Sequence, residues 1–257
     1  MKEKPMLMKA LDLFCGAGGA SMGLHQAGFE VTGVDLVYQK HFPWNKRLIV
    51  KDAMSVDVEF MCGFDLIWAS PPCQKHSVMR RGRWQDREHP ELIEPTRSLL
   101  KASGVHYVIE NVVGAPLINP VMLCGSMFGL QTKHGSQLRL HRLFEATFPI
   151  EQPTCRHNEG SVIGVYGGGQ HPGRRYHRDA DGNLVTPHKQ YPATIGVYGN
   201  SGGSSNRDGI QMFGTQDRRD AMGIQWMTGK ELSQAIPPAY SKYIAEQFLM
   251  QLKGTKE

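Results

Sequence analysis

Lys9-Ala10-Leu11-Asp12-Leu13-Phe14-Cys15-Gly16-Ala17-Gly18-Gly19 opens as a strand and closes as a turn. The apolar run from Lys9 to Phe14 is strand-sized, and the glycines after it permit a tight reversal. Ala20 to Ala27 then reads as a helix stopped by Gly28. Working outward, Glu30 to Val34 is a second strand ending at Asp35. Leu48 to Val50 is a third, ending at Lys51-Asp52. Phe64 to Ala69 and Val105 to Ile109 are the fourth and fifth, with a helix from Pro95 to Ser103 between them. This alternation predicts an α/β fold: a doubly wound, mostly parallel sheet with helices on both faces.

The texture changes after Phe148. Residues 149–217 are rich in Gly, His, Arg, Tyr, Asn and Ser, with little helical periodicity. Ile163-Gly164-Val165-Tyr166-Gly167 recurs as Ile195-Gly196-Val197-Tyr198-Gly199. Two copies are too few for a solenoid and read as two similar strands of a smaller β-rich module. Helices at Gly229 to Ala235 and Ser241 to Leu252 follow. The expected organisation is 1–148 for the main domain, 149–217 for the module, and 218–257 for a segment returning to the main domain.

A chain of 257 residues, 40% of them hydrophobic, suffices for one large core and a small companion. Apolar stretches are strand-sized, so no membrane association is expected. Met1-Lys2-Glu3-Lys4-Pro5 leads straight into a strand, which points to a cytoplasmic protein without a signal peptide. Five cysteines at irregular spacing suit a reducing compartment. The net charge of +5 leans towards a polyanionic partner. Lys75, Arg80, Arg81, Arg83 and Arg87 face one acid, Asp86; Arg174-Arg175 with Arg178, and Arg218-Arg219, are further clusters. Together they suggest a surface that contacts phosphates.

Two strand ends carry reactive groups. The fourth strand runs into Pro71-Pro72-Cys73-Gln74, where the prolines stiffen the turn that presents Cys73. The fifth ends in Glu110-Asn111. A thiol and a carboxyl group at strand carboxyl ends suggest a nucleophile with a proton donor. The glycine turn lacks the spacing of a dinucleotide or triphosphate loop. With Asp35 and Asp52 at two successive strand ends, it points instead to an adenosine-containing cofactor, Asp35 facing the ribose and Asp52 the adenine edge.

In this order, Asp12-Leu13-Phe14-Cys15-Gly16-Ala17-Gly18-Gly19, Pro71-Pro72-Cys73-Gln74, Glu110-Asn111-Val112 and Gln137-Leu138-Arg139 make the chain resemble the cytosine-5 DNA methyltransferases. The resemblance covers residues 9–148 and 215–250. It implies a Rossmann-like methyltransferase sheet and a target-recognition module. It also implies S-adenosylmethionine held by Phe14, Gly16, Gly18, Gly19, Asp35, Leu36, Asp52, Ala53, Pro72 and Gln234. Cys73 would be the nucleophile, Glu110 the proton donor and Arg139 a contact to the flipped base. The implied activity is methyl transfer to carbon 5 of cytosine in duplex DNA, by a monomer in a bacterial or phage-infected cell, with a cognate restriction endonuclease as a possible partner. Two alternatives are a tRNA cytosine-5 methyltransferase of the same fold and a catalytically impaired DNA-binding regulator.

The chain departs from the family twice. The usual Gln-x-Arg-x-Arg becomes Gln137-Leu138-Arg139-Leu140-His141-Arg142, so that either Arg142 or His141 takes the second arginine's part. A Gly-Asn pair before a Val-Pro segment becomes Ser233-Gln234-Ala235-Ile236-Pro237-Pro238. A base must leave the duplex to be reached. The long Arg-rich connection from Gln74 to Glu94 is therefore expected to close over DNA, with Arg80, Arg81 and Arg83 on phosphates and Ser77 near the flipped nucleotide. Arg142, Arg174 and Arg175 complete the expected DNA contacts. Cys15, Cys62 and Cys124 are expected as core hydrophobes, Trp68 as packing, and Met127-Phe128 as a helix core. Cys155 and His157, with His171, His177 and His188, admit a zinc site, but their spacing matches no standard finger. A His-rich DNA-facing loop is preferred, and no metal is expected.

Overall fold

A computed structural model describes residues 7–72, 91–157 and 214–254, together with the backbone of four short strands between 162 and 196. Seven strands form the main sheet: β1 (Lys9–Leu13), β2 (Glu30–Asp35), β3 (Leu48–Val50), β4 (Leu66–Ala69), β5 (Tyr107–Asn111), β6 (Val121–Leu123) and β8 (Arg142–Ala146). Their order is β3-β2-β1-β4-β5-β8-β6. The first five are parallel; β8 runs antiparallel to both β5 and β6. Strand order reverses between β1 and β4, and ligands of open α/β sheets bind in the crevice beyond the strand ends at such a point.

Successive residues of the buried strands point to opposite faces. Ala10, Leu66, Trp68 and Val108 share one core with Leu24 of helix α1 (Gly19–Gln26) and with Tyr240, Ile244 and Phe248 of α6 (Pro238–Gly254). Leu11, Leu13, Ile67, Ala69 and Ile109 share another with Met61 of α2 (Val58–Met61) and Leu100 of α3 (Ile93–Ser103). The sheet is thus doubly wound, as expected. Helix α3 starts at Ile93, before the expected Pro95, because proline is tolerated in a first turn where N–H groups lack intrahelical acceptors. Helix α6 likewise starts at Pro238 and so takes in Tyr240, expected to precede it.

Side chains lock this frame. Gly23 leaves room for α6: an added Cβ would collide with the Pro238 carbonyl and the Ser241 hydroxyl. Ser241 donates to the Ala20 carbonyl at 2.9 Å, and Tyr240 Oη donates to the Leu140 carbonyl. Arg97 on α3 meets Glu145 on β8 through two 2.8 Å hydrogen bonds, both side chains being buried. Their fork geometry fixes the antiparallel strand against the parallel part of the sheet.

Four further short strands lie in the stretch between 162 and 196. Within it, β9 (Val162–Gly164) pairs in parallel with β12 (Thr194–Gly196), Ile163 opposite Ile195 and Gly164 opposite Gly196. The first two residues of each copy of the sequence repeat are therefore neighbours in register. Strand β9 also pairs with β7 (Gln137–Leu138), while β10 (His177–Arg178) and β11 (Leu184–Val185) form an antiparallel ladder. Helices α4 (Thr215–Met222) and α5 (Gly229–Leu232) precede α6. Met127-Phe128, expected in a helix core, ends a single 3-10 turn, Gly125–Phe128. No helix among the described residues is long and apolar enough to cross a membrane.

Candidate active site

The register of the central strands brings the motifs together. Leu13 lies opposite Ala69, and Ala69 opposite Ile109, so the glycine turn, Pro71-Pro72 and Glu110-Asn111 leave the sheet side by side. Asn111 is buried and donates from Nδ2 to the Pro71 carbonyl at 3.0 Å, tying the double-proline turn to the end of β5. Its Oδ1 accepts from the Val112 amide at 2.9 Å, which fixes the orientation of the side chain. Pro72 is exposed. Cys73 is the next residue and lies outside the described residues, as do Ser77, Arg80, Arg81, Arg83, Arg174 and Arg175.

Glu110 is almost fully enclosed. Burial raises its pKa, opposed by the charge of Arg142 and by hydrogen bonds from Ser70 and Arg142. A proton donor near neutral pH needs an upward displacement of this kind. Arg142 Nε lies 3.0 Å from Glu110 Oε1, and Arg142 is itself buried. At the start of β8, Arg142 thus faces the carboxylate within the protein. Trp68 Nε1 donates to Ser70 Oγ at 3.1 Å, so this side chain orients Ser70 as well as filling the core. Ser70 and Asn111 support the site without having been given roles from the sequence. Their only signal was adjacency to Pro71 and Glu110. Arg139 is half-buried, with Nε 3.4 Å from Gln137 Oε1.

The cofactor-side residues separate into two groups. Phe14 has φ 60°, unusual for a non-glycine residue, and Gly16 has φ 49° with open space where a Cβ would be. Asp35, at the end of β2, accepts from the Gly16 amide at 2.9 Å through Oδ2 and from Gln39 Nε2 at 2.9 Å through Oδ1. Leu36 beside it is exposed, an apolar surface next to a carboxylate. Asp52 caps its turn by accepting from the Met54 amide at 2.9 Å, and Ala53 is buried behind it.

Gly18 and Gly19 are in addition packed against other parts of the chain. A Cβ on Gly18 would lie 2.8 Å from Pro43 Cδ, and one on Gly19 2.6 Å from the Ile236 carbonyl. Close packing thus accounts for the absence of a side chain at both positions. Gln234 is exposed, one residue before the Ala235-Ile236 segment that touches Gly19. Trp226 Nε1 donates to the Ala17 carbonyl at 2.9 Å, a second tie from the C-terminal segment to the glycine turn.

Three further expectations change. Cys62 is exposed after α2, with Sγ 3.4 Å from the Ser103 carbonyl, so it is not a core residue. Arg218 is buried, which removes it from a phosphate-contacting surface, while half-buried Arg219 donates from Nε to the Met227 carbonyl at 2.9 Å. Cys124 is buried as expected, but in polar company: Cys155, His157 and His141 lie around it. That group differs from the one read in the sequence, because the side chains of His171, His177 and His188 lie outside the described residues. Cys15 does behave as a hydrophobe, since burial, with Asp12 and Asp35 nearby, pushes its thiol far up.

Comparison with known proteins identifies this arrangement. The C-5 cytosine-specific DNA methylase family matches residues 8–116. Type II methyltransferase M.FnuDI of Fusobacterium nucleatum is 32% identical over 115 residues, 42% of this chain and 33% of that protein. Type II methyltransferase M.HgiGI of Herpetosiphon aurantiacus is 37% identical over 79 residues, 27% of this chain and 63% of that protein. The aligned segments thus span less than two thirds of these relatives. The crystal structure of Schizosaccharomyces pombe Dnmt2 methyltransferase superposes with a TM-score of 0.54 at 15% identity, covering 97% of this chain and 100% of that one. At that identity the likeness concerns the fold. The glycine turn, the double proline and Glu110-Asn111 all lie inside the matched stretch, so the likeness to the C-5 cytosine-specific DNA methylase family takes in these motifs.

Proposed function

We propose that this protein transfers a methyl group from S-adenosylmethionine to carbon 5 of cytosine in a specific duplex DNA sequence. The observation that carries this reading is the register at the switch point, where the turn leading into Cys73 and the enclosed carboxyl of Glu110 emerge from adjacent strands. The cofactor supplies an electrophilic methyl group on a sulfonium. The open space at Gly16, the carboxylate of Asp35 and the exposed Leu36 fit its nucleoside portion, a diol beside an apolar ring.

The chain's own groups then divide the work. Cytosine carbon 5 is a weak nucleophile until the ring's aromaticity is broken. The thiolate of Cys73 adds to carbon 6, and Glu110 supplies a proton or hydrogen bond at ring nitrogen 3, where electrons accumulate. Carbon 5, now enamine-like, takes the methyl group. A base removes the remaining carbon 5 proton, the electron pair re-forms the double bond and the Cys73 sulfur leaves. Arg142 holds Glu110 in place, and its positive charge limits how far burial raises that carboxyl. Arg139 contacts the flipped base. The Arg-rich 74–94 connection and the 149–217 module meet the DNA, in the cytoplasm of a bacterial or phage-infected cell.

The test uses the full chain, S-adenosylmethionine and a plasmid-length duplex carrying 5-fluorocytosine in place of cytosine. Fluorine at carbon 5 blocks the final elimination, so a denaturation-resistant protein–DNA adduct is expected, and Cys73→Ala abolishes it. Absence of an adduct from the unmodified chain rules out covalent catalysis.

A further inference from the structure

Four potential metal ligands from three separated segments meet outside the active site. Cys124 follows β6, His141 precedes β8, and Cys155 and His157 lie in the stretch that leaves the main sheet. One donor atom from each falls within 4.8 Å of all the others. Cys124 Sγ is 3.4 Å from His157 Nε2, Cys155 Sγ is 3.1 Å from the same nitrogen, and Cys155 Sγ is 3.7 Å from His141 Nε2. The two imidazole rings stand nearly perpendicular, at 77°.

These separations have a simple geometric meaning. A tetrahedral zinc ion with Zn–S near ~2.3 Å and Zn–N near ~2.0–2.1 Å requires sulfur–nitrogen edges of about 3.5 Å. The measured edges scatter about that value. Thiol–imidazole hydrogen bonding alone accounts for one or two such contacts, but not for two sulfurs and two nitrogens that all converge within 4.8 Å of one another. Ser126, also buried, places Oγ 3.4 Å from each sulfur, as expected of a hydroxyl that donates to metal-bound thiolates.

We propose that Cys124, His141, Cys155 and His157 bind one zinc ion in a closed, structural site. A donor set of two sulfurs and two imidazole nitrogens favours zinc among common divalent ions. Four protein ligands fill the coordination shell, so the ion holds structure and performs no chemistry. Its effect is to fasten residues 155–157 to the sheet beside Arg139 and Arg142. The same assignment gives His141 a role in holding the metal, while its neighbour Arg142 meets Glu110. This inference stands whether or not the chain methylates DNA.

The experiment uses the full chain, expressed with added zinc, freed of any affinity tag and dialysed. Elemental analysis is expected to give one zinc per chain. Cobalt(II) exchanged into the site should show the intense ligand-field and sulfur-to-metal charge-transfer bands of tetrahedral thiolate coordination. Cys155→Ser and His157→Ala should each weaken zinc binding by more than the ~10–100-fold typical of losing a mere hydrogen-bonding partner of a ligand. Both side chains are at least partly exposed, so these variants are expected to fold even if Cys124→Ser does not. Cys62→Ser, an exposed thiol elsewhere, should retain full metal content. Metal-free protein after this preparation, zinc retained unchanged by both ligand variants, or a Cys124–Cys155 disulfide in the native protein would each overturn the proposal. The 5-fluorocytosine adduct is read separately, so a failure here is not a failure of the methyltransferase reading.

Discussion

Replacing Asp12 by Asn should alter the pH dependence of stability more than stability itself. Asp12 sits in the middle of β1, fully buried, with one oxygen accepting from the Ser21 hydroxyl and Oδ1 without a hydrogen-bond partner. Burial, opposed by the Ser21 hydrogen bond and reinforced by Asp35 and Glu110, raises its pKa from 3.8 to about 7. Between these values the native chain keeps a proton that the unfolded chain has released. Stability therefore falls as pH rises from about 4 to about 7, and this group adds no further slope above that. At ~1.4 kcal/mol per pH unit the full effect is on the order of 4 kcal/mol, roughly 3 kcal/mol of it above pH ~4.5. Asparagine cannot ionise. Its amide leaves a donor unpaired, at a cost of about 1–3 kcal/mol that does not vary with pH. Urea unfolding followed by far-UV circular dichroism, from pH ~4.5 to ~8, should show the variant gaining on the parent by about 3 kcal/mol across the range. Parallel curves for the two proteins would refute the buried, proton-holding carboxyl.

Two further outcomes follow from the packing. Gly23→Ala, a change that favours an exposed helix by up to ~1 kcal/mol, should here destabilise by about 1–3 kcal/mol, because the new methyl meets Pro238 and Ser241 of α6; an unchanged thermal midpoint would mean that the two helices are not in contact. Asn111→Ala frees the Pro71 carbonyl and should lower kcat on the order of 10–100-fold while leaving the dissociation constant for S-adenosylmethionine within about twofold; equal losses in both would indicate general damage to the sheet.

Much of the frame was legible because its cause is local. Five short apolar runs, each closed by turn residues, gave the parallel strands to within two residues at either end. The reactive ends were legible because Pro71-Pro72 and Glu110-Asn111 are contiguous signatures. What escaped depended on contacts between distant segments. Arg142 looks like any arginine of a basic chain until β8 turns antiparallel beside β5 and lays it on Glu110. Gly18 and Gly19 read as ligand-facing, yet what forbids a side chain there is Pro43 and Ile236, which no local pattern connects to them. The Cys124 group was missed for the same reason: its members come from three segments, and the cysteine looked like a small hydrophobe.

The pairing of α1 with α6 also bears on how the chain is made. More than two hundred residues separate Gln26 from Pro238, so the ribosome releases the first helix long before its cover exists. At ~5–20 residues per second that interval is roughly 10–40 s. Throughout it, Leu24 and Phe29, which end wholly enclosed, lack the Tyr240, Ile244 and Phe248 that shield them. The nascent protein must therefore remain unfinished until α6 has been made, and chaperone capture during translation should centre on this early, greasy surface.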